Sequence, residues 1–600
     1  MSPSKPSSLR VVEQDRAPAS ARTGSDWIAP DCRGMNFWQI DPAFRDLLSL
    51  YLKPEELNHF VPHFERLGEL AGGRLDELAQ TADKHQPVLH ARDRFGRDED
   101  WIEYHPAYRE MEKIAYGDLG LHAMSHRGGV LGWPEPVSPL VKYAFQYLFV
   151  QGEFGLMCPI SVSDTSTYLI GKYGDDAVKR RFFDRMTSQD MDTLLKGTQF
   201  MTEKSGGSDV GNVELKAVRE GDHWRLWGDK WFCSHADADV ALLLARPEGA
   251  PAGTRGLALF AMPRRLDDGS RNSYRIVRLK DKMGTRSMAS GEIVFEGAVA
   301  YLVGEVDKGL KQMLDQVNLS RLSHGVRAAS MMRRCLNEAM QVARNRVAFG
   351  APIIERPLLR RALMKIMVPT EQALSMFCWT AAVMGAAKTD AAAARVLRLL
   401  TPIMKFRACR DNIEVATGAM EVRGGNGYIE DWVNPRLVRD AHVGVIWEGT
   451  SNINALDAIM RAVGREHGHE ALGAALHEQL SQADGVPAEF RLRLDAFLER
   501  AIDFAVEVAK EPGNERLARM AAGGLYNVAS AILLTREAAH AASSNGDARR
   551  LLLARMVTEH RLTARDPLTV RHDNWQERSI ALLLQDEPVP MRVAAELAVA

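Results

Sequence analysis

From residue 42 onward the apolar positions recur at helical spacing: Leu47, Leu48 and Leu52, then Leu57, Phe60, Val61, Phe64 and Leu67. Apolar residues three to four apart form one stripe on a helix. The same period runs through "YREMEKIAYGDL", "SPLVKYAFQYLFVQGEF", "SDTSTYLIGKYG" and "DDAVKRRFFDRM". Ser163 and Asp164 read as a helix cap there, and Gly174 as a stop. An all-helical domain over residues 31–194 is expected. The period then becomes strand-like. "HWRLWGDKWFCS", "VALLLARP", "GLALFAMP", "YRIVRLKDKMG" and "GEIVFEG" are short runs separated by Gly, Pro and charged turns, so a small β domain is expected over 195–305. Helical spacing returns after Lys308, where Leu314, Val317, Leu322, Val326, Ala329, Met332, Leu336, Met340 and Ala343 mark one long helix. Further helices are expected over about 357–387, 390–407 and 411–422, within a domain spanning 306–463. Residues 464–600 carry more apolar stripes and read as an additional helical domain. The predicted fold class is mainly α with a small inserted β domain, and the insertion implies a cleft where sheet and helical layers meet.

A chain of 600 residues is too long for one core, which agrees with several domains. Residues 1–30, rich in Ser, Pro and Ala, read as a mobile tail. Arg10, Arg16 and Arg22 would suit a mitochondrial presequence, whereas Glu13 and Asp15 weaken it. A formal net charge of -2 argues against a chain devoted to nucleic acid. Acidic residues outnumber basic ones from Leu456 to Ala600, so DNA is not an expected partner there, although Arg549, Arg550, Arg555, Arg561, Arg565 and Arg571 could gather on one face. The six cysteines lie far apart without C-x-x-C spacing, so no metal site is expected and a reducing cytoplasm suits the chain. No apolar run of membrane-spanning length and no secretory signal stand out.

The chemistry concentrates in a few stretches. In "VIWEGTSNI", the carboxylate of Glu448 lies between the bulky Trp447 and Gly449. An aromatic beside a carboxylate excludes water and raises its pKa toward that of a working base. Gly449 permits a sharp turn, while Thr450 and Asn452 offer hydrogen bonds to a flat heteroaromatic ring. In "QFMTEKSGGSDV", Gln199, Met201, Thr202 and Ser208 surround two glycines suited to close backbone approach. "MGTR" at 283–286 reads equally as a site loop and as a tight turn with a solvated Arg286. In "RNRVAFGAPI", Arg346 supplies a guanidinium, whose fork matches phosphate. "MEVRGGNGY" adds a glycine-rich turn at Gly424 and Gly425.

In this order, the stretches resemble the signatures of the acyl-CoA dehydrogenase flavoprotein superfamily. "MTEKSGGSDV", "RLKDKMGTRS" and "IWEGTSNINALD" look most like its AidB-like branch. The resemblance implies an FAD-dependent dehydrogenation of an acyl-CoA thioester to a trans-2-enoyl-CoA, with electrons passed to an electron-transfer flavoprotein. Glu448 is then the catalytic base. Thr202 faces the flavin ring, Ser208 lies near flavin or thioester, and Phe232, Cys233 and Ser234 form a strand packed on the flavin. Arg346 and Phe349 reach the FAD of a neighbouring subunit in a homotetramer, with Ala348 replacing a hydroxyl residue found in many relatives. Relatives that carry the base on the long helix do so at the position of Ser320, which cannot serve. Arg321 beside it reads equally as a substrate-site charge and as a structural arginine. The alternatives are an AidB-like flavoprotein that binds or protects DNA, and an acyl-CoA oxidase.

Overall fold

The computed structural model describes residues 28–566, 568 and 574–600. Most of the expected N-terminal tail, and Arg571, lie outside them. The chain divides into two compact units, residues 74–323 and residues 1–73 with 324–600.

Two helices open the larger unit, α1 (Pro42–Tyr51) and α2 (Pro54–Gly72). Asp41 caps α1 by accepting from the Phe44 N–H at 3.1 Å, and Pro42 supplies the pre-set φ of a first turn. The unit spanning 74–323 holds α3 (Arg74–Lys84), the hairpin β1 (Val88–Arg92) and β2 (Asp98–Glu103), then α4 (Pro106–Glu112), α5 (Pro139–Gly152), α6 (Met157–Tyr173) and α7 (Asp176–Met186). The hairpin corrects the all-helical expectation for 31–194. Gly174 ends α6, its N–H reaching the Ile170 carbonyl. Ser163 and Asp164 lie inside that helix and do not cap it. The Ser163 hydroxyl instead bridges the N–H and carbonyl of Gly197. Asp164 is a buried carboxylate held by Lys142 and His126.

The sheet of this unit comprises β3 (Gly197–Phe200), β4 (Lys216–Glu220), β5 (His223–Ser234), β6 (Val240–Pro247), β7 (Ala258–Pro263), β8 (Tyr274–Leu279) and β9 (Ser290–Val303). Five strands close on themselves in the order β6-β4-β5-β9-β7, with β7 returning to β6, while β3 and β8 flank the ring on β6 and β9. The interior strands β6 and β7 are buried almost throughout, which explains their unbroken apolar sequence.

The long helix α8 (Gly309–Asn345) runs through the division between the units. Beyond it the larger unit continues with the short hairpin β10 (Val347–Ala348) and β11 (Ala351–Pro352), α9 (Pro357–Ala386), α10 (Ala391–Arg423), α11 (Asn434–Ala441) and α12 (Ser451–Leu456). The helices expected over 390–407 and 411–422 are one continuous α10. Arg407 and Asp411, one turn apart, pair across the expected break. The chain ends with α13 (Gly468–Ser481), α14 (Ala488–Lys510), α15 (Ala518–Ser544), α16 (Arg549–Val557), α17 (Asn574–Leu583) and α18 (Met591–Val599). The segment 512–544, containing α15, is long and apolar enough to cross a membrane, contrary to the sequence reading. Most of its apolar window is buried against neighbouring helices, as expected of a core helix.

A buried ionic network ties these last helices to the rest of their unit. Arg550 of α16 reaches Glu371 at 2.7 Å and Glu537 at 2.8 Å; Arg333 of α8 reaches Glu371 at 2.6 Å and Asp41 at 3.1 Å. Ser375 donates to Glu537 at 2.7 Å. Removing one member would strand a buried charge, at a cost of about 3–5 kcal/mol.

Candidate functional site

In the unit spanning 74–323, the chain leaves β3 at Phe200 and enters the glycine-rich turn. Glu203 anchors it. Its carboxylate is 2.6 Å from Lys230 Nζ and accepts the backbone N–H groups of Glu214 at 2.7 Å and Leu215 at 3.2 Å. Lys230 also donates to the Met201 carbonyl, and the Trp231 N–H to the Thr202 carbonyl at 2.8 Å. Met201 and Thr202 are thereby fixed to β5 while their side chains stay half-exposed. Gly206 has φ +120°, and a Cβ on Gly207 would stand 2.7 Å from Thr202 Oγ1. Both glycines are required by the geometry. Ser208 is exposed beyond them, and Gln199 is half-buried on β3.

A bulge interrupts β5 next to this turn: Lys230 pairs with Ile293, and Cys233 with Gly291. The extra residue re-aims the side chains. Phe232 is 56% exposed and Ser234 half-exposed, whereas Cys233 is fully buried, so its thiol is turned away from any ligand and only its main chain remains available. Burial also pushes that thiol's pKa well up. The strand ends at His235, a buried imidazole with φ +54°. Burial holds its pKa down at about 4.

In the 283–286 loop, Thr285 has φ +50° and Lys282 donates to the Thr285 and Met288 carbonyls, both at 2.7 Å. Arg286 is not simply solvated. Its Nε is buried with no hydrogen-bond partner among the described residues, an orphaned donor that a polar ligand would satisfy. Arg321 is buried on α8, with Nη1 3.3 Å from the Asn318 side chain; Ser320 is buried beside it.

The Trp447–Asn452 stretch belongs to the other unit. Glu448 sits at φ +55° and Gly449 at φ +90°. A non-glycine residue in this region is strained, and such strain is concentrated at functional sites. Asn454 holds the turn: its fully buried amide donates to the carbonyls of Gly449 at 2.8 Å and Thr450 at 3.0 Å, and more distantly to that of Glu448. Lys405 of α10 donates to the same Gly449 carbonyl. Thr450 Oγ1 caps α12 at the Ile453 N–H, and Asn452 is exposed. The amide that organises the turn is thus Asn454, which the sequence reading passed over. Trp447 packs its ring edge-on against His324, centroids 5.7 Å apart.

Arg346 and Gly424, distant in sequence, meet in the same unit: a Cβ on Gly424 would lie 3.1 Å from Arg346 Nη1. Gly424 has φ +74°, and Gly425 is exposed with open space around it. Phe349 and Gly350, at φ +54° and +83°, turn the β10–β11 hairpin and leave Phe349 94% exposed. Tyr428 and Ile429, in and just after the glycine run, are exposed as well.

The site residues fit a flavin nucleotide. Within the unit spanning 74–323, hydroxyl and backbone groups, glycines whose space a side chain would fill, an exposed aromatic on a bulged strand and the Arg286 guanidinium suit a polar ring system; within the other unit, the Arg346 guanidinium beside Gly424 suits phosphate. Elsewhere, His467, His469 and Glu470 bring potential metal-ligand atoms within 4.8 Å of one another, a grouping the sequence reading missed; the first and last are exposed.

The adaptive response protein AidB N-terminal domain matches residues 28–193, the acyl-CoA dehydrogenase middle domain residues 198–298, and the acyl-CoA dehydrogenase C-terminal domain residues 307–464. The chain is 33% identical to the putative acyl-CoA dehydrogenase AidB of Escherichia coli, over 73% of this chain and 78% of that one. It is 31% identical to acyl-CoA dehydrogenase family member 11 of Caenorhabditis elegans, over 74% and 73%. The crystal structure of C. elegans ACDH-11 in complex with C11-CoA superposes with a TM-score of 0.82 at 27% identity, covering 91% of this chain and 94% of that one. The acyl-CoA dehydrogenase of Bacillus anthracis complexed with FAD shares the fold, with a TM-score of 0.69 at 17% identity over 92% and 96%. The chain belongs to the acyl-CoA dehydrogenase family of FAD-dependent oxidoreductases, with an AidB-type N-terminal domain.

Proposed function

We propose that this chain dehydrogenates an acyl-CoA at its α and β carbons, with Glu448 as the base, and passes the electrons to an electron-transfer flavoprotein. The observation that carries the reading is the Trp447–Glu448–Gly449 turn, a carboxylate held in a strained conformation by Asn454 and Lys405. FAD, when bound, supplies the hydride acceptor for the β-carbon. The chain does the rest. The Glu448 carboxylate takes the α-proton, and a positioned base of this kind contributes about 100- to 10,000-fold. Thr202, Ser208, Phe232, Ser234 and Arg286 hold the ring system and its polar groups. Arg346, Gly424 and Gly425 receive the nucleotide's phosphates, and the outward Phe349 supports a site completed by a second copy in a tetramer. The C11-CoA bound by the C. elegans relative makes an acyl chain of about that length the first substrate to try.

A second reading, a flavoprotein that binds or protects DNA, rests on the AidB-like sequence resemblance. The arginines of the C-terminal segment weaken it. Arg550 and Arg555 are buried, and Arg549 is spent on Asp547 and the carbonyls of Gln585 and Glu587. Buried guanidiniums cannot replace phosphate counterions. Anaerobic bleaching of the flavin by saturated acyl-CoAs of graded length tests the first reading. Absence of bleaching with every length would end it, and peroxide formed in air would redirect it to an oxidase.

A further inference from the structure

Behind the Trp447–Gly449 turn lies a buried cationic side chain that the dehydrogenation chemistry does not itself require. Lys405 occupies the middle of α10, 1% exposed, in a helix stretch that is otherwise apolar: Leu399, Leu400, Ile403, Met404 and Phe406 are all buried around it. An ammonium at such a place is costly to desolvate and is retained where a specific acceptor repays it. Its acceptor is the Gly449 carbonyl, one residue after the base. That carbonyl also receives the buried Asn454 amide at 2.8 Å. Two donors, one charged, therefore converge on the carbonyl of Gly449, in the peptide that immediately follows two consecutive left-handed residues, Glu448 and Gly449. Without them the Glu448 backbone would relax toward right-handed φ, and its carboxylate would swing with it. Ionised donors make hydrogen bonds roughly twice as strong as neutral ones, so Lys405 is the stronger of the two clamps.

We propose that Lys405 is a positioning residue for Glu448, clamping the Gly449 carbonyl so that the strained turn presents the base in one orientation. The inference rests on Glu448 being the base. Among the charged and titratable groups near the ammonium are His324 and Arg327 on α8 and Cys409 on α10 itself. Burial, with Arg327 and Lys405 nearby, keeps His324 neutral. Cys409 is buried and kept as a thiol. Glu448 is thus the carboxylate on the clamped turn, one residue from the carbonyl that this fixed cation grips.

The test compares wild type with Lys405→Met and Lys405→Arg as FAD-loaded full chains. A base misplaced by about 1 Å loses about 100-fold in rate. Lys405→Met should lower kcat by that order with little change in KM. Lys405→Arg, which keeps a charged donor, should recover most of the rate. Hydrogen exchange of residues 446–454 gives a readout free of turnover, and those amides should exchange faster in Lys405→Met. Asn454→Asp, which removes the second donor at nearly constant shape, should give the same pair of effects if Lys405→Met does not fold. Unchanged exchange together with an unchanged rate would overturn the proposal. Faster exchange in a protein whose wild type bleaches with no acyl-CoA would keep the clamp and discard the dehydrogenase reading, so the two failures are separable.

Discussion

Glu203→Ala should loosen the flavin-side turn more than any exposed substitution in "MTEKSGGSDV". In the native protein the Glu203 carboxylate is 5% exposed and faces a Lys230 ammonium that is completely buried. The substitution leaves that ammonium with the Met201 carbonyl at 3.2 Å and strips the acceptor from the Glu214 and Leu215 N–H groups. Stranding one member of a buried pair costs about 3–5 kcal/mol. An orphaned N–H adds about 1–3 kcal/mol where it stays buried, as at Leu215. The chain can shed part of this by releasing the Met201–Ser208 turn, so FAD affinity should fall along with stability. The double variant Glu203→Leu with Lys230→Met removes both charges and should return most of the loss, because apolar replacement of a buried pair is close to neutral. Urea unfolding followed by circular dichroism, with FAD release followed by fluorescence, reads both effects. If Glu203→Ala alone left the urea midpoint and the FAD affinity at wild-type values, the pair would not be anchoring the turn.

Glu448→Gln should keep FAD and bind acyl-CoA while losing flavin reduction by at least 100-fold; stopped-flow reduction at the wild-type rate would place the base elsewhere. Arg346→Ala should weaken FAD binding without unfolding the chain, since the side chain is exposed, and light scattering that found a fully flavinated monomer would refute a cross-subunit role for Arg346 and Phe349. Acid should destabilise the 74–323 unit through His122 and His235, whose pKa values burial holds at about 4 against 6.5 in the unfolded chain. Above pH 6.5 both are neutral in either state and contribute nothing; between 6.5 and about 4 only the unfolded chain gains the protons. Stability should fall through that window by up to about 3 kcal/mol per group and level off below it. His235→Asn, which tolerates the left-handed backbone, should remove one share of the slope in urea titrations at graded pH; an unchanged slope would show that His235 does not titrate this way.

Much of this architecture was written in the period of the apolar residues. The change from helical to strand spacing after Leu194 coincides with β3, and the recurrence from Leu314 to Ala343 lies within α8. The hairpin β1–β2 escaped because β1 is exposed or half-exposed throughout, and the buried face of β2 is Asp100 and Ile102 while Trp101 faces solvent, so no apolar alternation signals a strand. The continuity of α10 escaped because Arg410, Asp411 and Asn412 look like a break in an apolar helix, while in space Asp411 and Asn412 are buried and Asp411 pairs with Arg407. The site motifs were legible as short signatures, yet their support was not. Asn452 and Asn454 are equivalent on paper. The backbone alone decides that Asn454 turns inward to three carbonyls while Asn452 faces solvent. Likewise Glu203 reads as one more polar residue in a glycine-rich turn, and its role becomes visible only when Lys230, on a different strand, arrives beneath it.

The arginines of residues 456–600 show why counting charge falls short of locating it. A counted charge speaks to binding only where it reaches solvent. Arg550 is enclosed by Glu371, Glu537 and Ser375, and Arg555 stacks on Trp575 at 3.9 Å while donating to the carbonyls of Leu597 and Ala600. Arg565 is held by Glu559, which also takes Arg493. These guanidiniums satisfy helix ends and buried carboxylates, a use to which their planar, permanently charged fork is suited. Replacing Arg549, Arg550 and Arg555 with alanine would therefore report on folding before it reported on any nucleic acid. Residues 464–600 also share a compact unit with Glu448, and a buried ionic network with α8 and α9 of that unit. A loss of DNA binding in such a variant would follow from the disrupted helices alone. An unfolded C-terminal segment would in turn disturb the unit that holds Glu448, so activity and DNA binding have to be separated with exposed charges such as Arg578, which is bonded only loosely to Glu596 at 3.3 Å.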